Sequence, residues 1–424
     1  MGNLDYTQVL NKIENTRRFG NEPGVVVTAQ VIKVLREKGK QKRIIPYIHV
    51  AGTNGKGSVC AFFSSILKKE HMRVGTFVSP HLVDFEERIT VDGRMIPKED
   101  VTRLGNYLLD IDFGIGLTMF DYCLAMALLY FEEQQCDYMV IETGLGGRLD
   151  STNAIGTPQC AVITKIGYDH MAILGSDIAD IAAEKAGIIK ENGTVVVEQQ
   201  DKRAMQVIEQ EAQKKHARII TVEQSDIARC SGYALRLCGT FQWENAAAAE
   251  LAARYVLGMH YSGPEYEMQY DKTGPKSEKT DLNDRIKSAL EEAVWPGRME
   301  IVSKKPFLLV DGAHNSNGVD ALKESLMQMY PGEKFCFFMG VMADKDYDVM
   351  IREILPLAEE FYTVTPDSDR ALQASHLADF IRKEGVEATE LSGVDEIRKH
   401  LKRDTKNVAF GSLYFIGELK QHRI

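Results

Sequence analysis

The stretch His49-Val50-Ala51-Gly52-Thr53-Asn54-Gly55-Lys56-Gly57-Ser58 restricts what this chain can become more than any other. An apolar run from Ile44 to Val50 leads into it, and a helix-forming run from Val59 to Leu67 leads out. A strand that passes through a glycine-rich turn into a helix has the geometry of a phosphate-binding loop. Gly52, Gly55 and Gly57 let the backbone approach a ligand closely and adopt angles closed to other residues. Successive N–H groups then converge on anionic oxygens. In that reading Asn54 to Ser58 lie along the phosphates, Lys56 bridges the outer ones, and Ser58 faces a phosphate or a metal. Gly57 separates the lysine from the serine, a departure from the common G-x-x-x-x-G-K-[ST] spacing. The alternative is a glycine-rich turn carrying a solvated lysine; the strand–loop–helix context argues against it.

The rest of the chain alternates strand and helix signals, which implies an α/β fold with a mainly parallel sheet covered on both faces. Strands are expected near Arg73–Val78, Asp137–Ile141, Cys160–Ile166, Thr194–Val197 and Arg218–Val222. Helices are expected over residues 1–20, 28–38, 58–70, Pro97–Asp110, Thr118–Gln134, Ser176–Ile189, 201–215 and 241–257. Asp92-Gly93 between apolar flanks signals a hairpin. Residues 261–283 are polar, contain Pro264 and Pro275, and read as a surface insertion. Trp295-Pro296-Gly297-Arg298 looks like a domain junction. Past it the pattern restarts, with strands near Phe307–Val310, Lys334–Met339, Phe361–Val364 and Asn407–Phe410. At 424 residues, two or three domains of roughly 100–200 residues are expected. The division implied is a first domain over 1–296 and a smaller α/β, Rossmann-like domain over 297–424.

In open parallel sheets ligands sit beyond the carboxyl ends of the strands. Asn54 to Ser58, Ser79, Glu142 and His170 all follow expected strand ends, so four separate elements aim polar groups at one rim. Phosphate chemistry there calls for Mg²⁺, which prefers oxygen ligands. Glu142 closes an apolar strand, where a metal-binding acid is expected; the alternative is a carboxylate capping the next turn. His170 alone would read as structural, but it shares the rim and follows Asp169.

Charge and cysteine content narrow the partners. The net charge of −10 disfavours a nucleic-acid backbone. Seven cysteines without a C-x-x-C pair suit a reducing compartment. No basic-then-apolar leader opens the chain, and no apolar stretch approaches the roughly 20 residues of a membrane span. The expectation is a cytoplasmic protein without membrane or nucleic-acid partners.

The string around Lys56 resembles the phosphate loop of folylpolyglutamate and dihydrofolate synthases, ATP-dependent amide ligases of the Mur ligase superfamily. Ser79-Pro80-His81-Leu82, Glu142-Thr143-Gly144-Leu145-Gly146-Gly147-Arg148-Leu149-Asp150, Asp169-His170, Glu184-Lys185-Ala186-Gly187-Ile188, Trp295-Pro296-Gly297-Arg298, Asp311-Gly312-Ala313-His314-Asn315 and Gly411-Ser412-Leu413-Tyr414 add to it. They occur in the family's order and cover nearly the whole chain. The resemblance implies that Gly55 to Ser58 hold ATP, with Asn245, Arg298 and Asp311 on the nucleotide and His314 reaching toward its phosphates. It implies two Mg²⁺ sites, one at Ser79 and Glu142 and one at His170. Lys185 matches a lysine that carries a carbamate; read from the residues alone, it is an ordinary ion pair with Glu184 or Asp180. The pterin substrate would lie near Phe120, Asp121 and the loop carrying His81, although Phe120 reads equally well as helix core. The family more often has glutamate at the position of Asp121.

The implied catalytic set is Lys56, Glu142, His170 and Lys185. The implied reaction adds L-glutamate to the γ-carboxylate of a reduced folate through an acyl phosphate, or to dihydropteroate; the motifs do not separate the two. One rival is a cell-wall ligase acting on a UDP-sugar peptide, disfavoured because roughly 45 residues precede the loop. The others are a generic P-loop ATPase and a non-catalytic nucleotide-binding protein. A monomer is expected, with small-molecule substrates as its partners.

Overall fold

The computed structural model describes residues 3–17, 20–43, 45–258 and 276–424. Two compact units result. One comprises Met1–Ala234 with Glu244–Ala293, the other Leu235–Trp243 with Val294–Ile424. The segment Leu235–Trp243 groups with the second unit for local reasons. Thr240 N donates to Ser325 Oγ at 3.0 Å, and Cys238 and Phe241 pack on that unit's core.

The first unit is built on eight strands: β1 (Tyr47–Ala51), β2 (Val74–Phe77), β3 (Ile89–Val91), β4 (Arg94–Met95), β5 (Tyr138–Glu142), β6 (Cys160–Ile163), β7 (Thr194–Val197) and β8 (Arg218–Thr221). Their order is β4-β3-β2-β5-β1-β6-β7-β8. All pairs from β2 to β8 are parallel; β3 and β4 extend the edge antiparallel. Every residue of β1, β5, β6 and β7 is buried, as expected for parallel strands covered on both faces. On one face Tyr47 and Ile141 pack with Leu124, Leu128 and Phe131 of the helix Met119–Glu133. Further along, Ile163 and Val195 pack with Ile181 and Ala182 of the helix Ile178–Ala186.

The second unit holds β9 (Glu300–Lys304), β10 (Phe307–Val310), β11 (Phe335–Met339), β12 (Ala358–Thr363), β13 (Ala388–Glu390) and β14 (Lys406–Phe410). Their order is β13-β12-β11-β14-β10-β9, parallel except for β9. Phe337 stacks on Phe361 and meets Phe410 edge-on in its core. The two mainly parallel sheets agree with the fold class read from the sequence.

Several expectations shift in detail. The first helix runs only over Tyr6–Glu14, started by an Asp5/Gln8 capping box. Ile44 and Phe19 lie outside the described residues. The hairpin forms at Asp92-Gly93, whose φ values of 53° and 76° are those a tight two-residue turn requires. β6 stops at Ile163 instead of Ile166, because residues 164–167 turn to hold the phosphate loop. Of the expected insertion, 261–275 lie outside the described residues, while 276–283 belong to the helix Lys276–Glu292. That helix is tied to the phosphate-loop helix by Arg285–Glu70 at 2.7 Å and by Ser65 Oγ donating to Ala289 O at 2.7 Å. Edge strands β9 and β13 and the helices Gln224–Ser231 and Leu413–Gln421 carry weak signals and were not anticipated. Among the described residues no helix is long and apolar enough to cross a membrane.

Candidate active site

β2, β5, β1 and β6 are neighbours and run parallel, so their carboxyl ends form one rim. Gly52 to Ser58 leave β1, Ser79 follows β2, Glu142 ends β5, and His170 lies past β6. The backbone thus sets Gly52 to Ser58, Ser79 and Glu142 along that rim, with His170 seven residues past the end of β6.

The phosphate loop is fixed from the β6 side. Thr53 N and Asn54 N both donate to Lys165 O, at 2.9 and 3.2 Å. Thr164 Oγ1 donates to Asn54 O at 2.6 Å, and Thr53 Oγ1 to Gly167 O at 3.0 Å. Gly52 has φ 158°, and a Cβ there would lie 1.8 Å from Thr164 Oγ1. Gly55 has φ 90° and caps the helix Lys56–Lys69; a Cβ on it would lie 2.3 Å from Asn245 Oδ1. Asn245 thus rests directly against the loop. Thr164 and Lys165, which hold the loop, carried no sequence signal.

Lys56 Nζ lies 3.2 Å from Gly52 O and 3.8 Å from Glu142 Oε1. Glu142 is buried, and its Oε2 accepts from Ser79 N at 3.3 Å. A single buried carboxylate beside a phosphate loop suits a hard cation that keeps phosphate oxygens and waters as its other ligands. Among the described residues no group of three or more His, Cys, Asp or Glu side chains gathers as a metal cage. His170 adopts φ 52° before the short helix Met171–Leu174, and its Nε2 lies 3.9 Å from Asp169 Oδ2.

Lys185 does not make the surface ion pair that its neighbours suggest. Glu184 pairs instead with Arg148 at 2.6 Å. Lys185 is buried, and its Nζ donates to Gly52 O at 2.7 Å. Burial, reinforced by the charge of Lys56, lowers its pKa from 10.5 to about 7. A near-neutral amine at the base of a phosphate loop is a nucleophile, which an exposed ammonium is not.

Phe120 is half-buried, meets Phe77 at 5.5 Å, and lies over Gly144, where a Cβ would come within 2.7 Å of its ring. It therefore stands beside the end of β5. Asp121 is buried, with Oδ1 accepting from Ser151 Oγ at 2.6 Å and Oδ2 from Thr118 N at 2.8 Å. The carboxylate expected at the substrate is thus engaged in starting its helix and bracing the turn at Ser151. His81 Nδ1 accepts from Arg88 Nε at 2.8 Å; burial and then Arg88 hold its pKa at about 4, so the ring is neutral with Nε2 protonated. Glu87 orders the same loop by accepting from the N–H groups of Leu82, Val83 and Asp84.

Within the second unit Arg298, just before β9, meets Asp311 and His314, just after β10. Asp311 is buried and accepts from Met299 N at 2.8 Å and Ala313 N at 2.7 Å. Burial raises its pKa, with Arg298 opposing. Arg298 Nη1 lies over Gly312, where a Cβ would come within 2.2 Å, and His314 Nδ1 contacts Gly312 O at 2.8 Å. Asp311 is therefore a knot joining two turns.

Comparison with known proteins agrees with this architecture. Residues 50–253 match the Mur ligase middle domain and residues 297–410 the Mur ligase glutamate ligase domain. The chain is 33% identical to the dihydrofolate synthase/folylpolyglutamate synthase of Bacillus subtilis, covering 98% of both chains. Mycobacterium tuberculosis folylpolyglutamate synthase complexed with ADP superposes with a TM-score of 0.83 at 26% identity, over 99% of this chain and 98% of that one. E. coli FolC in complex with DHPP and ADP gives 0.80 at 27% identity, over 99% and 97%. With this similarity running from end to end, the chain belongs to the folylpolyglutamate synthase/dihydrofolate synthase family of Mur ligases.

Proposed function

We propose that this protein is an ATP-dependent ligase that joins L-glutamate to the γ-carboxylate of a reduced folate, and that it also accepts dihydropteroate. The observation that carries the reading is the meeting of two lysines at one carbonyl of the glycine loop, one of them beside a buried carboxylate. Lys56 and Lys185 both reach Gly52 O, at 3.2 and 2.7 Å, and Lys56 lies 3.8 Å from Glu142. ADP and DHPP, bound by E. coli FolC, are the ligand classes proposed for this chain.

In this reading Asn54 to Ser58 hold the ATP phosphates at the head of a helix, where backbone N–H groups favour anions. Lys56 offsets charge spreading over the transferring phosphoryl group. A folate carboxylate oxygen attacks the γ-phosphorus and ADP leaves, giving an acyl phosphate. The glutamate amine then attacks the acyl carbon, the C–O bond breaks, and phosphate departs. Mg²⁺, proposed at Ser79 with Glu142 and at His170, supplies Lewis-acid stabilisation when bound. Lys185 is proposed to carry a carbamate; its burial and depressed pKa support an amine able to add CO₂. Phe120 offers the pterin a stacking edge beside Gly144, and neutral His81 offers it an Nε2–H donor. Asn245, Arg298, Asp311 and His314 are proposed on the nucleotide, Asp311 through the turns it ties together.

A monomer is proposed. The net charge of −10 fits small-molecule partners and no nucleic acid. Seven free cysteines fit the cytoplasm. The test is ADP release with dihydropteroate, tetrahydrofolate or a UDP-sugar peptide, each with and without glutamate. Release that requires a pteroyl substrate together with glutamate supports the reading. Release driven by the UDP-sugar peptide, or independent of glutamate, contradicts it.

A further inference from the structure

We propose that Asn153 is a positioning residue whose side-chain amide fixes the end of the helix Ile178–Ala186, and thereby sets the Lys185 amine against the phosphate loop in the place where it takes up CO₂. The inference rests on the carbamate reading of Lys185 and adds the part of the fold that makes it possible.

Asn153 lies on the single 3₁₀ turn Ser151–Ala154 and is buried. Its Nδ2 donates to Arg148 O at 3.0 Å and to Gly187 O at 3.1 Å. Arg148 belongs to the loop that follows Glu142; Gly187 closes the helix, two residues past Lys185. One amide group therefore bridges the β5 loop and the lysine helix. Asn153 Oδ1 is buried without a hydrogen-bond partner. Turning the amide over would set that oxygen against two carbonyl oxygens, so two acceptors dictate the orientation. Leaving a buried acceptor unpaired is unfavourable, and the chain tolerates it where the nitrogen makes both bonds. Lys190 Nζ adds a bond to Asn153 O at 3.0 Å, tying the turn to the segment after the helix.

The same junction is tight elsewhere. Arg148 N donates to Glu184 O at 2.7 Å, and a Cβ on Gly147 would lie 2.8 Å from Glu184 O and 3.0 Å from Lys185 O. Lys185 has its main chain pinned on this side and its Nζ held on Gly52 on the other. For the carbamate to form, the neutral amine's lone pair attacks the CO₂ carbon, a new N–C bond forms, and one proton passes to solvent buffer. Held with its N–H on Gly52 O, the amine has the charge of Lys56 nearby to meet the resulting anion. Displacing the helix end by a fraction of an ångström changes that surrounding.

Asp has nearly the shape of Asn and no N–H to donate, so Asn153→Asp places oxygen against both carbonyls. The turn retains its other braces, Ser151 to Asp121 at 2.6 Å and Thr152 to His49 at 2.8 Å. The experiment is carbon-13 NMR of the full-length protein titrated with labelled bicarbonate. Wild type, Asn153→Asp, Asn153→Ala and a Lys185→Ala control are compared, with melting curves verifying that each is folded. The expected result is a carbamate carbon signal in wild type that Lys185→Ala abolishes. Both Asn153 variants should need about tenfold more CO₂ for half-occupancy, the scale of one or two lost hydrogen bonds. Their kcat should fall while KM for ATP stays within about twofold, since the phosphate loop is untouched. Should Asn153→Asp fail to fold, Asn153→Ala alone gives the reading. A wild-type signal that the folded Asn153 variants keep at unchanged half-occupancy overturns the inference alone. A wild-type protein without the signal overturns the carbamate reading and the inference with it.

Discussion

Lys185 Nζ donates to the carbonyl oxygen of Gly52 over 2.7 Å, so an amine from one helix is fixed to the first residue of the glycine loop beyond β1. The contact ties the Lys185 side chain to the start of the phosphate loop. It also puts a cation where burial opposes charge, and a pH dependence follows.

The sign of that dependence is set by the depressed pKa. Below about pH 7 the Lys185 amine is protonated in both folded and unfolded chains, and the buried charge opposes folding. Between about 7 and 10.5 the unfolded chain holds the proton that the folded protein has released, so stability rises with pH. Lys185→Met removes this contribution, which is on the order of a few kcal/mol at its extreme. Its melting temperature relative to wild type should be most favourable below pH 7, with the difference shrinking toward pH 9. A difference that does not change with pH contradicts the buried-amine assignment.

Lys185→Ala should retain the fold and lose activity by roughly a hundredfold, the scale of one preorganised charge removed from a reaction centre. Acetate or another small carboxylate should restore part of it by standing in for the carbamate. Steady-state ADP release with and without acetate measures this; full activity in the unaided variant contradicts the assignment.

Lys56→Ala should lower kcat by about 10²–10³, because in the proposed mechanism Lys56 offsets part of the charge on the transferring phosphoryl group. Stability should also fall, by about 1–3 kcal/mol, because the variant removes the lysine beside the buried Glu142 carboxylate and its bond to Gly52 O. Rate assays and thermal melts on the same preparation separate the two effects, and wild-type turnover contradicts the phosphate-loop reading.

Gly52→Ala tests the locking of the loop. The added methyl would meet Thr164 Oγ1 at 1.8 Å in a backbone conformation that disfavours a side chain. A loss of about 1–3 kcal/mol is expected from overpacking. Adding Thr164→Ala should recover part of it, a non-additivity that urea denaturation of both single variants and the double variant will reveal. Strict additivity would mean that the two residues do not press on each other.

The parts of the site that were legible in the sequence are those dictated by local chemistry. Glycines that need positive φ, an apolar strand running into Glu142, and Thr118 at the start of a helix act over a few residues, and the chain order displays them. The parts that were not legible depend on partners far apart in sequence. Nothing around residue 164 signals that Thr164 will hold Asn54 O from 110 positions away. Nothing around residue 121 signals that Ser151, 30 positions away, will donate to the Asp121 carboxylate. Lys185 beside Glu184 reads as a helix-surface pair; only the fold sends Glu184 to Arg148 and turns Lys185 inward. The first helix was drawn too long because apolar spacing continues to Phe19, whereas the helix itself ends at Glu14.

The most direct test follows an oxygen atom. A folate or dihydropteroate carboxylate labelled with oxygen-18 is incubated with the enzyme, ATP and glutamate, and the released phosphate is analysed by mass spectrometry. If the phosphate loop activates the carboxylate as an acyl phosphate, each turnover transfers one labelled oxygen into inorganic phosphate, and Lys56→Ala suppresses the labelled product. Unlabelled phosphate released at the rate of product formation would contradict the mechanism.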